Sequence, residues 1–403
     1  MTPPQTLIPG ALNGVRVIDL TDNNGVYATK MLVDLGADVI RVESISGDPM
    51  RKVEPVVKAT GESAFYAYMN AGKRVVALDL ESPEGQALFA SLVDAAEIVV
   101  ESTRPGDLAA KNLDYQTLSA DHPSLIWTTV TPFGSDGPRA HWQADDLVSQ
   151  AMGGLLTLSG LPEREPLRLP GEQSSFMAGL HAATGTLIAY WNCMETGQGQ
   201  HVDVSVQDCI AHTLESAIQA YTCNGVVRER QARSAEAGVG MFPCTDGEIF
   251  VYANIGMIAS SWDNLVRWLR EEGIPGAEEL ADEKWRDLTF RRTDEARTRS
   301  AEVIRQLTKT RGKYEIYEQL QQRFILSAPM SQIGDLFNNQ QLKFLDWFSS
   351  RPIHGHQATW PGPAFRMSET PRRHPGEVPP PGAHTAEILE IIGSRSEHKE
   401  QVQ

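Results

Sequence analysis

Hydrophobic and polar positions in the N-terminal part of the chain follow patterns that predict strands and helices in turn. A β-branched run at residues 14–19 (GVRVID) predicts a buried strand. The polar turn 21–24 (TDNN) precedes a helical pattern over residues 26–35, which ends at Gly36. A second strand is predicted at residues 37–43. These segments form a β-α-β unit, which places its two strands parallel in one sheet.

The same alternation continues to residue 155. Further strands are predicted at residues 74–80, 97–101 and 125–130, and further helices at residues 83–95, 107–111 and 146–155. The sequence therefore predicts an α/β fold with a doubly wound sheet. The GxGxxG fingerprint of dinucleotide-binding folds is absent, because Asp22, Asn23 and Asn24 occupy the turn after the first strand. Binding of NAD through that fingerprint is therefore not expected.

Residues 167–205 carry the most distinctive pattern of the chain. A polar turn precedes an apolar run at residues 176–190, and a glycine-rich turn at residues 196–200 leads into an alternating segment. The run predicts a helix that is apolar nearly all round and therefore buried, with small residues that allow another backbone to approach. Ser174 or Ser175 is the expected N-cap. Because the positive end of a helix stabilises anions, this end is a candidate for acyl chemistry.

The pattern changes after residue 205. A long helix is predicted at residues 206–221, and the polar segment 224–240 predicts a domain boundary. A hairpin at residues 246–253 and three amphipathic helices predict a second, smaller α+β domain. Prolines are frequent in residues 351–382, which predicts an extended, loop-like tail. The remaining helices are predicted at residues 262–271, 295–307, 314–323 and 384–393.

Composition narrows the functional classes. Of the 403 residues, 41% are hydrophobic and 22% are charged, as in ordinary globular proteins. A formal net charge of −16 argues against a general nucleic-acid binder or a protein of anionic membrane surfaces. We find no secretory leader pattern and no apolar run of the roughly 18 residues that a membrane span needs. The 4 cysteines fall at no metal-ligand spacing, so we expect reduced thiols, no metal site and a cytoplasmic location.

Several short motifs occur in a characteristic order along the chain. They are DLGADVIRVE at residues 34–43, NAGKRVVALDL at 70–80, VESTRPG at 100–106, DLVSQAMGG at 146–154 and TGQGQHVDVS at 196–205. Each motif is weak alone, but in this order they resemble the class III coenzyme A transferases. That family includes formyl-CoA transferase, carnitine CoA-transferase and the methylacyl-CoA racemases.

This resemblance implies a fold and a substrate class. It implies a Rossmann-like large domain built from both chain ends, residues 1–224 and 331–403, and a smaller α+β domain at residues 225–330. It also implies two subunits that interlock as a dimer. The expected substrate is a coenzyme A thioester, with neither a metal nor NAD.

The reaction of the family needs a carboxylate that this chain lacks at the matching position. In the family, an aspartate attacks the acyl-CoA thioester and forms a mixed anhydride, which the next nucleophile reopens. The resemblance puts this aspartate 4 residues before Gly179, where this chain has Ser175. An ester on Ser175 would be a poor acyl donor, and the hydroxyl would need a nearby base. We therefore expect Ser175 to be a helix cap, and we expect no catalytic residue of the family type. Glu172 is the nearest carboxylate and a possible substitute, although a solvated turn residue is the simpler expectation.

The resemblance also indicates residues that could contact coenzyme A. Asn23 and Asn24 occupy the turn after the first strand, where the family meets the coenzyme. Basic side chains are candidates for the phosphate groups, and each of them could equally be a solvated surface cation. These basic candidates are Lys73, Arg74, Arg104 and Lys111.

Three functional hypotheses remain open. In the first, the chain is the non-catalytic subunit of a heteromeric CoA-transferase and pairs with a paralogue that keeps the aspartate. The two-subunit branch of the family that acts on succinyl-CoA and aromatic succinates such as benzylsuccinate has this plan. In the second, the chain is an active homodimer that uses Glu172. In the third, it is a catalytically dead protein that binds coenzyme A or regulates another enzyme.

Overall fold

A computed structural model of the chain describes residues 10–230, 236–254, 260–371, 376, 378–390 and 392. The chain folds as two units. The first contains the residues up to 159, residues 166–228 and the residues from 346 onward, and the second contains residues 160–165 and 229–345. The sequence placed the smaller domain at residues 225–330, so the spans of the second unit differ from it. The domain boundaries themselves stay a prediction. Residues 1–9 and part of the predicted boundary segment 224–240 lie outside the described residues.

A six-stranded parallel sheet forms the centre of the first unit, in the order β3-β2-β1-β4-β5-β6. Its strands are β1 (Arg16–Leu20), β2 (Asp38–Glu43), β3 (Arg74–Ala77), β4 (Ile98–Glu101), β5 (Ile126–Thr131) and β6 (His201–Ser205). The order reverses between β1 and β4, as in doubly wound nucleotide-binding folds. This sheet confirms the predicted α/β fold.

Helices cover both faces of this sheet. They are α1 (Val26–Asp34), α2 (Ala64–Asn70), α3 (Pro83–Asp94), α4 (Tyr115–Leu118), α5 (Asp146–Met152), α6 (Gln173–Thr196), α7 (Val206–His212) and α8 (Ala217–Asn224). Successive strand residues point to opposite faces. Val17 and Val39 pack with α1 and α6 on one face, whereas Ile18 and Ile40 pack with Phe89 of α3 on the other. This arrangement leaves the carboxyl ends of the strands as the open edge of the sheet.

The second unit has an antiparallel sheet of three strands, β7 (Val239–Cys244), β8 (Gly247–Tyr252) and β9 (Leu326–Pro329). The turn between β7 and β8 confirms the predicted hairpin. The helices of this unit are α9 (Ser261–Glu271), α10 (Leu288–Arg291), α11 (Asp294–Thr308), α12 (Lys313–Gln322), α13 (Ile333–Leu336) and α14 (Gln340–Phe344). Its core is rich in aromatic residues, and the rings of Trp262 and Trp285 stack with their centroids 5.4 Å apart.

The C-terminal part of the chain returns to the first unit. The expectation of an extended, loop-like tail was wrong in part, because β10 (Ser349–Ile353) and β11 (His356–Trp360) form a hairpin. His354 and Gly355 both have positive φ, which is the geometry of a tight hairpin turn. Further on, residues 385–390 are helical. The backbone N–H groups of the edge strand β3 meet this segment, since Val75 donates to His384 Nδ1 and Ala77 donates to Thr385 Oγ1, both at 3.1 Å.

Two helix predictions need correction. The single helix expected at residues 206–221 is divided into α7 and α8, because Glu215 takes a left-handed conformation with φ of 52°. Helix α6 is not buried all round: the side chains of Ile188 and Trp191 are 64% and 65% exposed. Within the described residues, each helix is too short or too polar to span a bilayer.

Candidate functional site

An open cleft lies at the carboxyl ends of β1, β4 and β5, where the strand order reverses. Its empty volume is about 1030 Å³, part of which is open solvent. The cleft is lined by Asp22 and Asn24 after β1, residues 102–105 after β4, Thr131 of β5 and residues 140–145 before α5. Open α/β sheets bind their ligands outside the carboxyl ends of the strands at such a reversal. The cleft is therefore the candidate ligand site of the first unit.

The start of α6 does not have the cap that the sequence suggested. Glu172 is the N-cap residue, and its side chain makes no capping hydrogen bond. Ser174 and Ser175 are the second and third residues of the helix, so the prediction that either is the N-cap was wrong. The backbone N–H of Ser174 instead donates to Asp146 Oδ1 of the neighbouring helix α5 at 2.9 Å. A carboxylate from another element thus satisfies one of the free N–H groups of the first turn.

Ser175 lies in an environment that does not activate a hydroxyl. The residue is 2% exposed, and its hydroxyl makes no hydrogen bond within the described part of the chain. The histidine on the same helix is engaged elsewhere, because His181 Nδ1 lies 2.9 Å from the carbonyl oxygen of Met177 and its ring packs on His212. A serine without a hydrogen-bonded base is a weak nucleophile. That Ser175 is not a nucleophile stays a prediction.

Asp146 is the centre of a polar network that the sequence did not reveal. Its carboxylate is almost fully buried and accepts four hydrogen bonds. Oδ1 accepts from the N–H and the hydroxyl of Ser174, at 2.9 and 2.6 Å. Oδ2 accepts from Gln150 Nε2 at 2.7 Å and from Arg168 Nε at 2.9 Å. These hydrogen bonds satisfy the buried carboxylate and tie α5 to α6.

Glu172 joins the edge of this network. Its carboxylate is about one-third exposed and accepts from Arg168 at 3.4 Å and from Asn23 Nδ2 at 3.0 Å. The Oδ1 atom of Asn23 is buried and has no hydrogen-bond partner among the described residues. Both oxygens of Glu172 are therefore held by neighbours, and Asn23 faces Glu172 rather than the cleft.

The predicted coenzyme-binding residues fall into two groups. Asn24 and Arg104 line the cleft, and Arg104 is exposed and forms no ion pair within the described residues. Arg74 pairs with Asp38 and Glu387, and Lys111 pairs with Glu81. Neither Arg74 nor Lys111 lines the cleft.

Lys73 has a structural role in the sheet. It is fully buried, and its ammonium group donates to Asp19, Thr29 and Asn70, each at 2.8 Å. Burial opposes the charge of Asp19, but Lys73 and Arg41 outweigh this effect and hold the pKa of Asp19 well below its usual range. Because all three donors of Lys73 are taken, its placement argues against the predicted phosphate contact.

Two cleft residues, Trp142 and Thr131, went unnoticed in the sequence. The side chain of Trp142 lines the cleft and is 56% exposed, and the guanidinium of Arg139 lies over its ring. The hydroxyl of Thr131 is buried at the end of β5 and has no partner among the described residues. The segment PFGSDGPRAHW at residues 132–142 has no periodicity that would mark these side chains as site residues. Within the described residues, no cluster of His, Cys, Asp and Glu side chains could hold a metal ion.

A family model, curated relatives and a solved structure all indicate the same family. A sequence model described as CoA-transferase family III matches residues 12–385. The succinyl-CoA:(R)-benzylsuccinate CoA-transferase subunit BbsE of Thauera aromatica is 38% identical over 384 residues, which are 94% of this chain and 93% of that protein. The succinyl-CoA–L-malate CoA-transferase alpha subunit of Chloroflexus aurantiacus is 28% identical, over 94% of this chain and 88% of its own. The crystal structure of a CAIB/BAIF family protein from Brucella suis superposes with a TM-score of 0.83 at 26% identity, covering 95% of this chain and 100% of that one.

Proposed function

Because the chain belongs to CoA-transferase family III, we propose that it is the non-catalytic subunit of a heteromeric CoA-transferase. The complex moves coenzyme A from an acyl-CoA to a carboxylic acid. We assign succinyl-CoA as the donor class and an aromatic succinate such as benzylsuccinate as the acceptor class. The partner is a paralogue that carries an aspartate at the position of Ser175.

The observation that carries this proposal is the hydroxyl at Ser175. Acyl transfer in this family requires an intermediate as reactive as a mixed anhydride, and a serine ester is a much poorer acyl donor. Ser175 is 2% exposed and has no base within hydrogen-bond distance in the described part of the chain. The chain thus keeps the scaffold of the family without its nucleophile.

The names of two relatives support the substrate classes and the two-subunit plan. BbsE is a subunit of an enzyme named for succinyl-CoA and (R)-benzylsuccinate. The Chloroflexus aurantiacus relative is the alpha subunit of an enzyme named for succinyl-CoA and L-malate, and the beta subunit of that organism is also similar to this chain. The cleft supports a coenzyme A site in this chain, because the Arg104 guanidinium is open to a phosphate group.

The proposal is tested by measuring CoA transfer from succinyl-CoA to benzylsuccinate with the chain alone, the partner alone and the two mixed. The mixture is expected to be active, and the chain alone to be slower by at least about 10³-fold, as for enzymes without their nucleophile. Turnover by the isolated chain at the rate of the complex would refute the proposal.

Two variants identify the reacting group. Asparagine in place of the partner's aspartate is expected to abolish transfer, and Glu172→Gln in this chain to change the rate of the complex by less than about twofold. Activity of this chain alone that is lost in Glu172→Gln would favour the homodimer that uses Glu172. Binding of coenzyme A without transfer in any mixture would favour the catalytically dead binding protein. Hydroxylamine trapping followed by mass spectrometry is expected to label the partner and to leave the peptide that contains Ser175 and Glu172 unmodified.

A further inference from the structure

Trp142 is held on the wall of the cleft with most of its indole in solvent. The residue is 56% exposed, although tryptophan is among the side chains that proteins bury most on average. The ring has a defined orientation, because Phe133 packs edge-on at 6.3 Å between centroids and the Arg139 guanidinium carbon lies 5.1 Å from the indole centroid. An aromatic surface that is fixed and yet open to a cleft is suited to stacking with a planar ligand group.

Two arginines near this ring form no ion pair with a carboxylate of the described residues. Arg41, Arg51 and Arg74 near the sheet all form ion pairs. Arg104 and Arg139, in contrast, form none within the described residues, and both are exposed. An arginine without a carboxylate partner can bind a phosphate group through two parallel hydrogen bonds. In a chain with a net charge of −16, such cations set the local attraction for an anionic ligand.

A third, independent feature of the cleft also points to a ligand. Thr131 is 1% exposed and lines the cleft at the end of β5, and its hydroxyl has no hydrogen-bond partner among the described residues. A buried hydroxyl without a partner is energetically unfavourable, and a bound polar group can satisfy it.

From these features we infer that Trp142 stacks on the adenine ring of coenzyme A, with Arg104 and Arg139 near its phosphate groups. The inference rests on the proposed coenzyme A site. A purine joined to phosphate groups matches a ring-binding face beside guanidinium groups that lack a carboxylate partner. The succinyl group offers no ring to stack, and the phenyl ring of benzylsuccinate is not joined to phosphate groups. Trp142 is thus a binding residue for the nucleotide half of the substrate, and it does not take part in the chemistry.

The test uses the full chain and its complex with the proposed partner, and it measures affinity by calorimetry. Trp142→Ala is expected to weaken binding of coenzyme A and of adenosine 3′,5′-bisphosphate by about 5- to 100-fold, the effect of losing one stacked base. Trp142→Phe keeps a stacking surface and is expected to restore most of the affinity. Binding of 4′-phosphopantetheine, which has no adenine, is expected to be the same in all three proteins. The matched control is Trp191→Ala, which removes an exposed tryptophan that does not line the cleft and should leave the affinity unchanged.

The possible failures are distinguishable. If the wild-type chain binds coenzyme A and Trp142→Ala binds it equally well, the inference is overturned while the proposed function stands. A loss confined to binding of benzylsuccinate would assign Trp142 to the acyl side and would overturn the inference as well. If adenine-dependent binding at Trp142 is found but no mixture transfers coenzyme A, the inference is supported and the proposed function fails.

Discussion

Replacing Asp146 by asparagine is expected to loosen the start of α6. The carboxylate accepts from Ser174 through one oxygen and from Gln150 and Arg168 through the other. An asparagine can keep only one of these sides, because its NH₂ group would face two donors if its oxygen faced Ser174. The Gln150 amide cannot reverse without loss, since its Oε1 accepts from the N–H of Leu169 at 3.1 Å.

The cost follows from the burial of each lost partner. A buried hydrogen bond to a charged group contributes about 1.5–3 kcal/mol, which applies to Gln150. Arg168 is open to solvent, so screening leaves its bond only a minor contribution. We therefore expect Asp146→Asn to lower the free energy of unfolding by about 1.5–3 kcal/mol, chiefly through Gln150.

Two measurements check this value. Urea unfolding gives the loss of stability, and hydrogen exchange of the Ser174 amide reports on the first turn of α6 directly. The control is Arg168→Ala, which removes the solvent-exposed partner of Asp146 and should cost far less than Asp146→Asn. A loss below about 1 kcal/mol in Asp146→Asn would show that the network does not stabilise this region in the way described. Unchanged exchange at Ser174 would show that the asparagine oxygen still accepts from this N–H, and faster exchange that the oxygen has turned to Gln150 and Arg168.

Two further predictions concern the packing and the ion pairs of the first unit. A Cβ atom at Gly179 would lie 2.7 Å from Tyr27 Cβ, so Gly179→Ala is expected to cost about 1–3 kcal/mol in urea unfolding, whereas Gly334→Ala, where nothing lies within 4 Å, should cost far less. The pKa of Asp19 is held well below its usual range, so the stabilisation by this carboxylate is complete above its ordinary pKa of about 4 and is lost as the pH falls further. Urea midpoints measured from pH 6 to pH 3 should therefore decline only at the acid end, and midpoints that stay level to pH 3 would contradict the role of the pair with Lys73.

The sequence predicted strands and helix starts where a local pattern of residues was sufficient to define them. The β-branched runs at residues 14–19 and 37–43 became β1 and β2, because a parallel strand that is buried on both faces needs continuous apolar residues. The helix predicted at residues 83–95 begins at Pro83 in the structure, and the hydroxyl of Ser82 before it accepts from the Gly85 N–H. These signals are local, so they can be read without knowledge of the fold.

Features that depend on distant partners could not be predicted in this way. Asp146 and Ser174 are separated by 27 intervening residues, and nothing in the local sequence shows that one caps the helix of the other. In the sequence, Lys73 cannot be told apart from a surface cation. Only the fold places it against Asp19. The position of Trp142 depends likewise on the loop that ends near α5, which has no periodic pattern.

The contacts of β3 with His384 and Thr385 have a consequence for the synthesis of this protein. An edge strand offers unsatisfied N–H groups to any passing chain, and here residues near the C-terminus cover them. While the chain is being made, β3 emerges from the ribosome some 300 residues before its cover. A nascent polypeptide that lacks His384 and Thr385 therefore exposes the N–H groups of this edge strand to pairing with other chains.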